Sequence, residues 1–250
     1  MKRPFASARA GFACISSDKP APMARSAAGP VEFRVLLTTL AERGWATHAA
    51  EHSQAEILIS ELSRIGALLG TPTAGRAGAL SEVVRPHPPG NAHPRSLSAR
   101  YGLNALPFHA ELSHRPRPCR YLLLGCIDPG SASATTMLLD WRTLNFSSEE
   151  LDLLESAPIL ARSGRHSFYT ALLPSDRAFL RFDPGCLEAV DGRGRAALRL
   201  VEDRLVGGAP NIHEWRRGDI LIVDNWRVLH RRGPSDQGCG RSLARILIDD

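Results

Sequence analysis

The 250 residues carry 31 Lys and Arg against 26 Asp and Glu, a formal net charge of +5, and 43% of them are apolar. That length lies near the upper edge of what one hydrophobic core serves, so one principal domain is expected. No apolar run approaches the roughly 18 residues needed to cross a bilayer, and the basic residues are interspersed with acids and form no long run with interleaved aromatics, which argues against membrane and nucleic-acid partners.

Residues 1–30 hold Lys2, Arg3, Arg9, Lys19 and Arg25 against the single acid Asp18 and contain no continuous apolar stretch. They read as a flexible N-terminal extension ahead of a domain spanning 31–250, with a transit peptide as the competing reading. Five cysteines (Cys14, Cys119, Cys126, Cys186, Cys239) form no C-x-x-C pair, which argues against a zinc knuckle or redox motif. Their odd number and the lack of a secretory signal point to the reducing cytoplasm.

Within 31–44, Phe33, Leu36, Leu37 and Leu40 share one helical face and Gly44 supplies a stop. A second helix is expected over 53–69. Ser53 and Glu56 have capping-box spacing, Leu58, Leu62, Ile65 and Leu69 form the stripe, and Gly70 and Pro72 end it. From Pro86 to Pro94 repeated prolines predict a long loop over a site or a sheet edge. Short β-type runs follow at Leu106–Glu111, Tyr121–Cys126, Thr136–Leu139, Phe168–Leu173, Phe179–Phe182, Asp219–Asp224 and Ala244–Ile248. Two short helices interrupt them: one opens on the Ser147 to Glu150 capping box, and the other carries Leu198, Val201 and Leu205 before Gly207 and Gly208. No fixed-period repeat occurs. Helices first and many short strands after predict a mainly β, α+β architecture, a sandwich or jelly roll with helices packed outside.

If Leu106–Glu111 is a strand, His109 and Glu111 project from one face toward one point. Nine His and 26 acids make about one H-x-E pair expected by chance, so the pair needs context. His230, which follows the apolar run Asp219–Asp224, is the candidate third ligand of a two-histidine, one-carboxylate triad of the kind that holds iron(II) with positions left open. Downstream, Arg241 and Arg245 share a strand face, where guanidinium groups can hold carboxylates or simply be solvated edge charges.

The stretches 96–102 (SLSARYG), 106–111 (LPFHAE), 117–126 (RPCRYLLLGC), 134–138 (ATTML) and 215–233 (WRRGDILIVDNWRVLHRRG) resemble the taurine dioxygenase and clavaminate synthase-like family of iron(II)- and 2-oxoglutarate-dependent dioxygenases. The likeness runs in order through 31–250. It implies a double-stranded β-helix, or jelly roll, with His109, Glu111 and His230 as metal ligands and Arg241 on the distal carboxylate of 2-oxoglutarate, assisted by Thr136, with Thr135 the alternative. Arg245 matches a position that contacts an anionic group of the substrate. The implied activity is oxidation of a C–H bond of a small metabolite, by default hydroxylation, with O₂ as co-substrate; an amino acid or natural-product intermediate is the expected substrate class. Many members carry Asp where this chain has Glu111, and Glu points to the clavaminate synthase and amino-acid hydroxylase branch.

The alternatives are a non-catalytic jelly-roll protein that binds a metal or ligand, and a cupin-like metal-dependent isomerase or hydrolase, which would leave Arg241 without a role. Asn225 and Trp226 flank the third ligand, and packing is the expected role of the Trp. His114, His166 and His213 are read as surface or hydrogen-bonded histidines, and His87 and His93 belong to the proline-rich loop, a candidate lid. No G-x-S-x-G elbow and no glycine-rich phosphate loop is present.

Overall fold

The structure, a computed structural model, describes residues 30–75, 78–91, 96–130 and 134–250. The expected extension, apart from Pro30, lies outside the described residues, as do Cys14 and His93. In chain order come α1 (Pro30–Arg43), β1 (Trp45–Ala49), α2 (Ala55–Leu69), β2 (Thr71–Thr73), β3 (Ser81–Val84), α3 (Leu97–Tyr101), β4 (Tyr121–Asp128) and β5 (Thr136–Asp140). They are followed by α4 (Ser148–Ser156), β6 (Ile159–Ala161), β7 (Phe168–Thr170), β8 (Leu187–Ala189), α5 (Gly192–Gly207), β9 (Asn211–His213), β10 (Asp219–Asp224), β11 (Val228–Arg232) and β12 (Ser242–Asp249). No helix among the described residues is long and apolar enough to cross a membrane.

The largest sheet has the order β1-β10-β4-β12-β2, with β3 also paired to β12, and a smaller sheet runs β11-β5-β9. Their pairings are antiparallel. The central strands of the large sheet are buried on both faces, so they read as continuous apolar runs instead of alternating ones. The period of two is still visible in where each side chain goes. Leu123 of β4, Ile220 and Ile222 of β10, and Ala244, Ile246 and Ile248 of β12 face α1 and α2. Leu122 and Leu124, Leu221 and Val223, and Leu243 and Leu247 face the small sheet, where Leu138 and Val228 meet them. Helix α2 lies close on the large sheet because two glycines permit it: a Cβ on Gly66 would stand 2.7 Å from Ile248 Cδ1, and one on Gly125 would stand 2.8 Å from Leu58 Cγ. The outer face of the small sheet is covered by a third cluster joining Leu139 and Leu229 to α4, α5 and the β7-β6-β8 sheet. This mainly β sandwich with helices outside is the architecture the sequence predicts.

The helix at 31–44 is α1, where Leu36 and Leu40 are buried but Leu37 is exposed. Gly44 ends it at φ +83°. The capping box of α4 forms as written, with Glu150 N donating to Ser147 Oγ and Ser147 N donating to Glu150 Oε2. The one expected at Ser53 does not form: the N-cap of α2 is Gln54, with no side-chain cap bond. Phe179–Phe182 is extended but joins no sheet, Phe168–Leu173 yields only the three residues of β7, and the proline-rich loop contains one 3₁₀ turn at Pro89–Asn91.

The segment Leu106–Glu111 needs the largest correction. It is not a strand: His109 makes one isolated bridge to His230, and the chain then turns at Glu111. Pro107 has no N–H to give a ladder, and Leu112 takes φ +58°, a left-handed conformation that ends extended pairing.

Candidate metal centre and its cavity

Val228, His230 and Arg232 alternate along β11, and Val228 packs in the inter-sheet cluster, so His230 and Arg232 point into the space between the sheets. His109 is set against His230 by a reciprocal pair of backbone bonds, each N–H to the other carbonyl at 3.0 Å. The two rings stand 4.4 Å apart between centroids. Two residues further, the backbone of Glu111 is held by the side chain of Asn225. One ligand atom from each of His109, Glu111 and His230 lies within 4.8 Å of the others. The three side chains therefore do converge, although a bridge and a turn bring them together and not a strand.

Both imidazoles are suited to donate a lone pair. His109 Nδ1 lies 3.0 Å from the carbonyl of Pro107, which can only accept, so Nδ1 carries the proton and Nε2 is left as the donor atom. Burial, with help from His109 and Arg245 and against Glu111, pushes His230 down to about 3, so it is neutral at physiological pH. Its Nδ1 is buried without a protein partner. Two imidazole nitrogens and one carboxylate oxygen form a donor set that suits a divalent first-row metal.

His109 and His230 line a cavity of about 350 Å³ whose wall also includes Thr136, Arg232, Arg241, Arg245 and Glu82. Arg241 precedes β12 at an irregularity in its register with β4, yet its side chain is buried in this wall. Nη1 donates to Ala134 O at 2.6 Å, and Nε has no partner. Burial, followed by the neighbouring Arg232, lowers its pKa to about 10. It stays charged at neutral pH and pairs with no acid among the described residues, which suits it to receive an anionic group. Thr136 Oγ1 accepts from Trp215 Nε1 at 3.0 Å, leaving the hydroxyl proton to be donated elsewhere. Arg232 also lines the cavity and binds the carbonyls of Gly102 and Asn104.

Arg245 is engaged differently. On the face of β12 that carries Leu243 and Leu247, it donates to Glu111 Oε2 at 2.8 Å and to Glu82 Oε1 at 2.7 Å. Burial opposes its charge, but the two carboxylates outweigh that and hold the guanidinium above its ordinary pKa. Glu111 is not part of the cavity wall; Arg245 connects it to Glu82, which is.

Trp226 packs as expected, its Nε1 donating to Pro118 O and its ring lying under Arg117 and Arg120. His114, His166 and His213 do not line this cavity, whereas Pro86, His87 and Asn91 of the proline-rich segment do. Sequence reasoning did not single out Glu82, Arg181 or Arg232. A lone Glu or Arg in a short strand or loop carries no local signal, since its partners lie far away along the chain.

Residues 212–247, which include His230, Arg241 and Arg245, match the family described as Taurine catabolism dioxygenase TauD, TfdA family. A 39-residue stretch is 49% identical to a clavaminate synthase-like protein of Arabidopsis thaliana, covering 16% of this chain and only 10% of that relative's length. An asparagine oxygenase solved with Fe(II), 2S,3S-3-hydroxyasparagine and succinate superposes with a TM-score of 0.71 at 20% identity, over 87% of this chain and 79% of its own. The non-haem iron oxygenase OrfP, solved with Fe and alpha-ketoglutaric acid, gives 0.67 at 23% identity over 88% and 79%. OrfP has also been solved with succinate and (3S)-hydroxy-L-Arg, at a TM-score of 0.70 and 19% identity over 88% and 80%. The chain thus has the jelly-roll fold of these oxygenases and carries a TauD-like segment at its C-terminal end.

Proposed function

We propose that the chain is an iron(II)- and 2-oxoglutarate-dependent dioxygenase that hydroxylates a C–H bond of a small metabolite, with an amino acid or amino-acid-like natural-product intermediate as the substrate class. The observation that carries this reading is the juxtaposition in one cavity wall of the paired imidazoles beside Glu111 and the buried, acid-free guanidinium of Arg241. A metal-binding fold alone would need only the first.

In this assignment His109, Glu111 and His230 hold the iron, which when loaded activates O₂ and couples decarboxylation of the co-substrate to substrate oxidation. Arg241 pairs with the distal carboxylate of 2-oxoglutarate, and Thr136 donates its hydroxyl proton to the same group. The unpartnered Nε of Arg241 and the Trp215-oriented hydroxyl of Thr136 support those roles. Apolar Leu122, Leu124 and Leu243 line the same cavity and limit water around the reacting groups. Arg245, beside Glu111, is assigned to an anionic group of the substrate. To take it, Arg245 has to share or exchange the bonds it makes with Glu82 and Glu111. The hydroxylated amino acids found with the asparagine oxygenase and OrfP favour that substrate class. We further assign residues 31–250 to one catalytic unit, acting in the cytoplasm on a small-molecule substrate and without nucleic-acid or membrane partners.

The test is an anaerobic titration with iron(II) and 2-oxoglutarate that follows the visible metal-to-ligand charge-transfer band. Wild type should develop the band and His109→Ala should not. Arg241→Ala should bind iron as wild type does but need about ten to a hundred times more 2-oxoglutarate, the scale of one lost charge-assisted contact. No band from folded, iron-replete wild type sinks the oxygenase reading in favour of a non-catalytic binding protein.

A further inference from the structure

We infer that Asn225 is a positioning residue for the metal carboxylate, its side-chain amide replacing the strand neighbour that Glu111 lacks; this rests on the metal-centre reading above. The ladder that aligns His109 with His230 stops after that one bridge. Glu111 lies beyond it in a turn, where no strand pairs with it. Asn225 Oδ1 accepts from Glu111 N at 2.7 Å, and Asn225 Nδ2 donates to Glu111 O at 3.0 Å and to Cys119 O at 2.8 Å. One primary amide thus satisfies the donor and the acceptor of a single residue, as a paired strand would, and ties the far end of the same loop at Cys119.

The clamp is itself fixed. Asn225 is 1% exposed, its own N–H donates to Arg120 O at 2.9 Å, and it occupies the tight turn between β10 and β11, where Asp224 Oδ1 accepts from Trp226 N. His230 follows five residues later on β11. One turn, which carries the chain from the large sheet into the small one, therefore places two ligands, His230 directly and Glu111 through the amide. The clamp also counters a local cost: Leu112, directly after Glu111, sits at φ +58°, which a branched side chain holds only when its surroundings enforce it.

Asn225→Asp keeps size and shape but sets a carboxylate oxygen against two carbonyls, while Asn225→Ser deletes the clamp without adding a buried charge. Each is compared with Leu154→Ala, a cavity in the remote third cluster, which controls for simple loss of stability. Iron(II) affinity is read anaerobically without 2-oxoglutarate, and the visible spectrum of the cobalt(II)-substituted protein reports ligand geometry, both at a temperature where every variant is folded. Both Asn225 variants should bind iron(II) about ten- to a hundredfold more weakly and shift the cobalt bands, the scale expected when a ligand loses the group that orients it. Leu154→Ala should do neither. Iron affinity within twofold of wild type in Asn225→Ser, with unchanged cobalt bands, overturns the inference, as does equal weakening in Leu154→Ala. Wild type that binds no iron overturns the metal reading itself.

Discussion

His230 and Glu111 reach one point from two kinds of backbone. His230 lies on a strand whose five residues, Val228–Arg232, pair with Thr136–Asp140 of β5, and loss of any single side chain leaves that ladder in place. Glu111 lies on a loop that makes no ladder, and side chains hold its surroundings, among them the amide of Asn225, the guanidinium of Arg245 and the guanidinium of Arg181. Arg181, 2% exposed, donates to the carbonyls of Ser113 and Arg115 at 2.6 Å and of Pro116 at 2.7 Å, so it closes the turn that Glu111 begins. A ladder shares the work of positioning among many equivalent bonds, whereas a loop concentrates it in a few side chains. Substitutions near Glu111 should therefore disturb the site in ways that substitutions along β11 do not.

The largest expected effect is removal of the carboxylate. Glu111→Ala should weaken iron(II) binding by roughly a hundredfold or more, since the metal loses its only anionic ligand. Substituting Arg231, whose guanidinium stacks on Phe108 and which is no ligand, should leave iron affinity unchanged because the ladder around it stays in place. Equal losses in an anaerobic titration would erase the distinction between loop and ladder. Next comes Arg181→Met, which strands three carbonyls in a buried place. It should cost about 3 kcal/mol in urea unfolding and expose 111–118 to proteolysis before the rest of the chain. A loss below about 1 kcal/mol, within the range of one ordinary hydrogen bond, would show that the loop holds itself.

A pH effect should arise at the other ligand. Burial depresses the pKa of folded His230 to about 3 from 6.5, so between those values the unfolded chain takes up a proton that the folded chain refuses. The metal-free protein should then be most stable above pH 6.5 and lose stability progressively as pH falls toward 3. His230→Gln should flatten that limb of the unfolding curve, and an unchanged slope would assign the acid sensitivity to other groups. At the small end, Arg162→Ala removes an exposed pair with Glu188 on the β6-β8 sheet, and neither stability nor iron affinity should change measurably.

Much of this was legible along the chain because it depends on near neighbours. The apolar runs of β4 and β10 gave their positions, the latter with both ends at Asp219 and Asp224, since a strand buried on both faces needs no alternation to be recognised. Ser147 and Glu150 announced α4 because a capping box spans only four consecutive residues. The order of H-x-E, distal His and paired arginines indicated the site through its likeness to a known family. Other features answer to distant contacts. Period-two reasoning brought His109 and Glu111 to one face for a reason the structure replaces: Pro107 and the turn at Leu112 break the strand, and Asn225, 114 residues away, restores the pairing. The same is true of Arg245, whose neighbours in sequence are apolar and whose partners, Glu111 and Glu82, lie 134 and 163 residues off. The sequence by itself determined where the helices α1, α2 and α4 and the buried strands β4 and β10 lie, and which residue types carry the chemistry. Only the tertiary structure decided which backbone holds each ligand and which charge meets which, because hydrogen bonds and ion pairs depend on distance in space and leave no periodic trace along the chain.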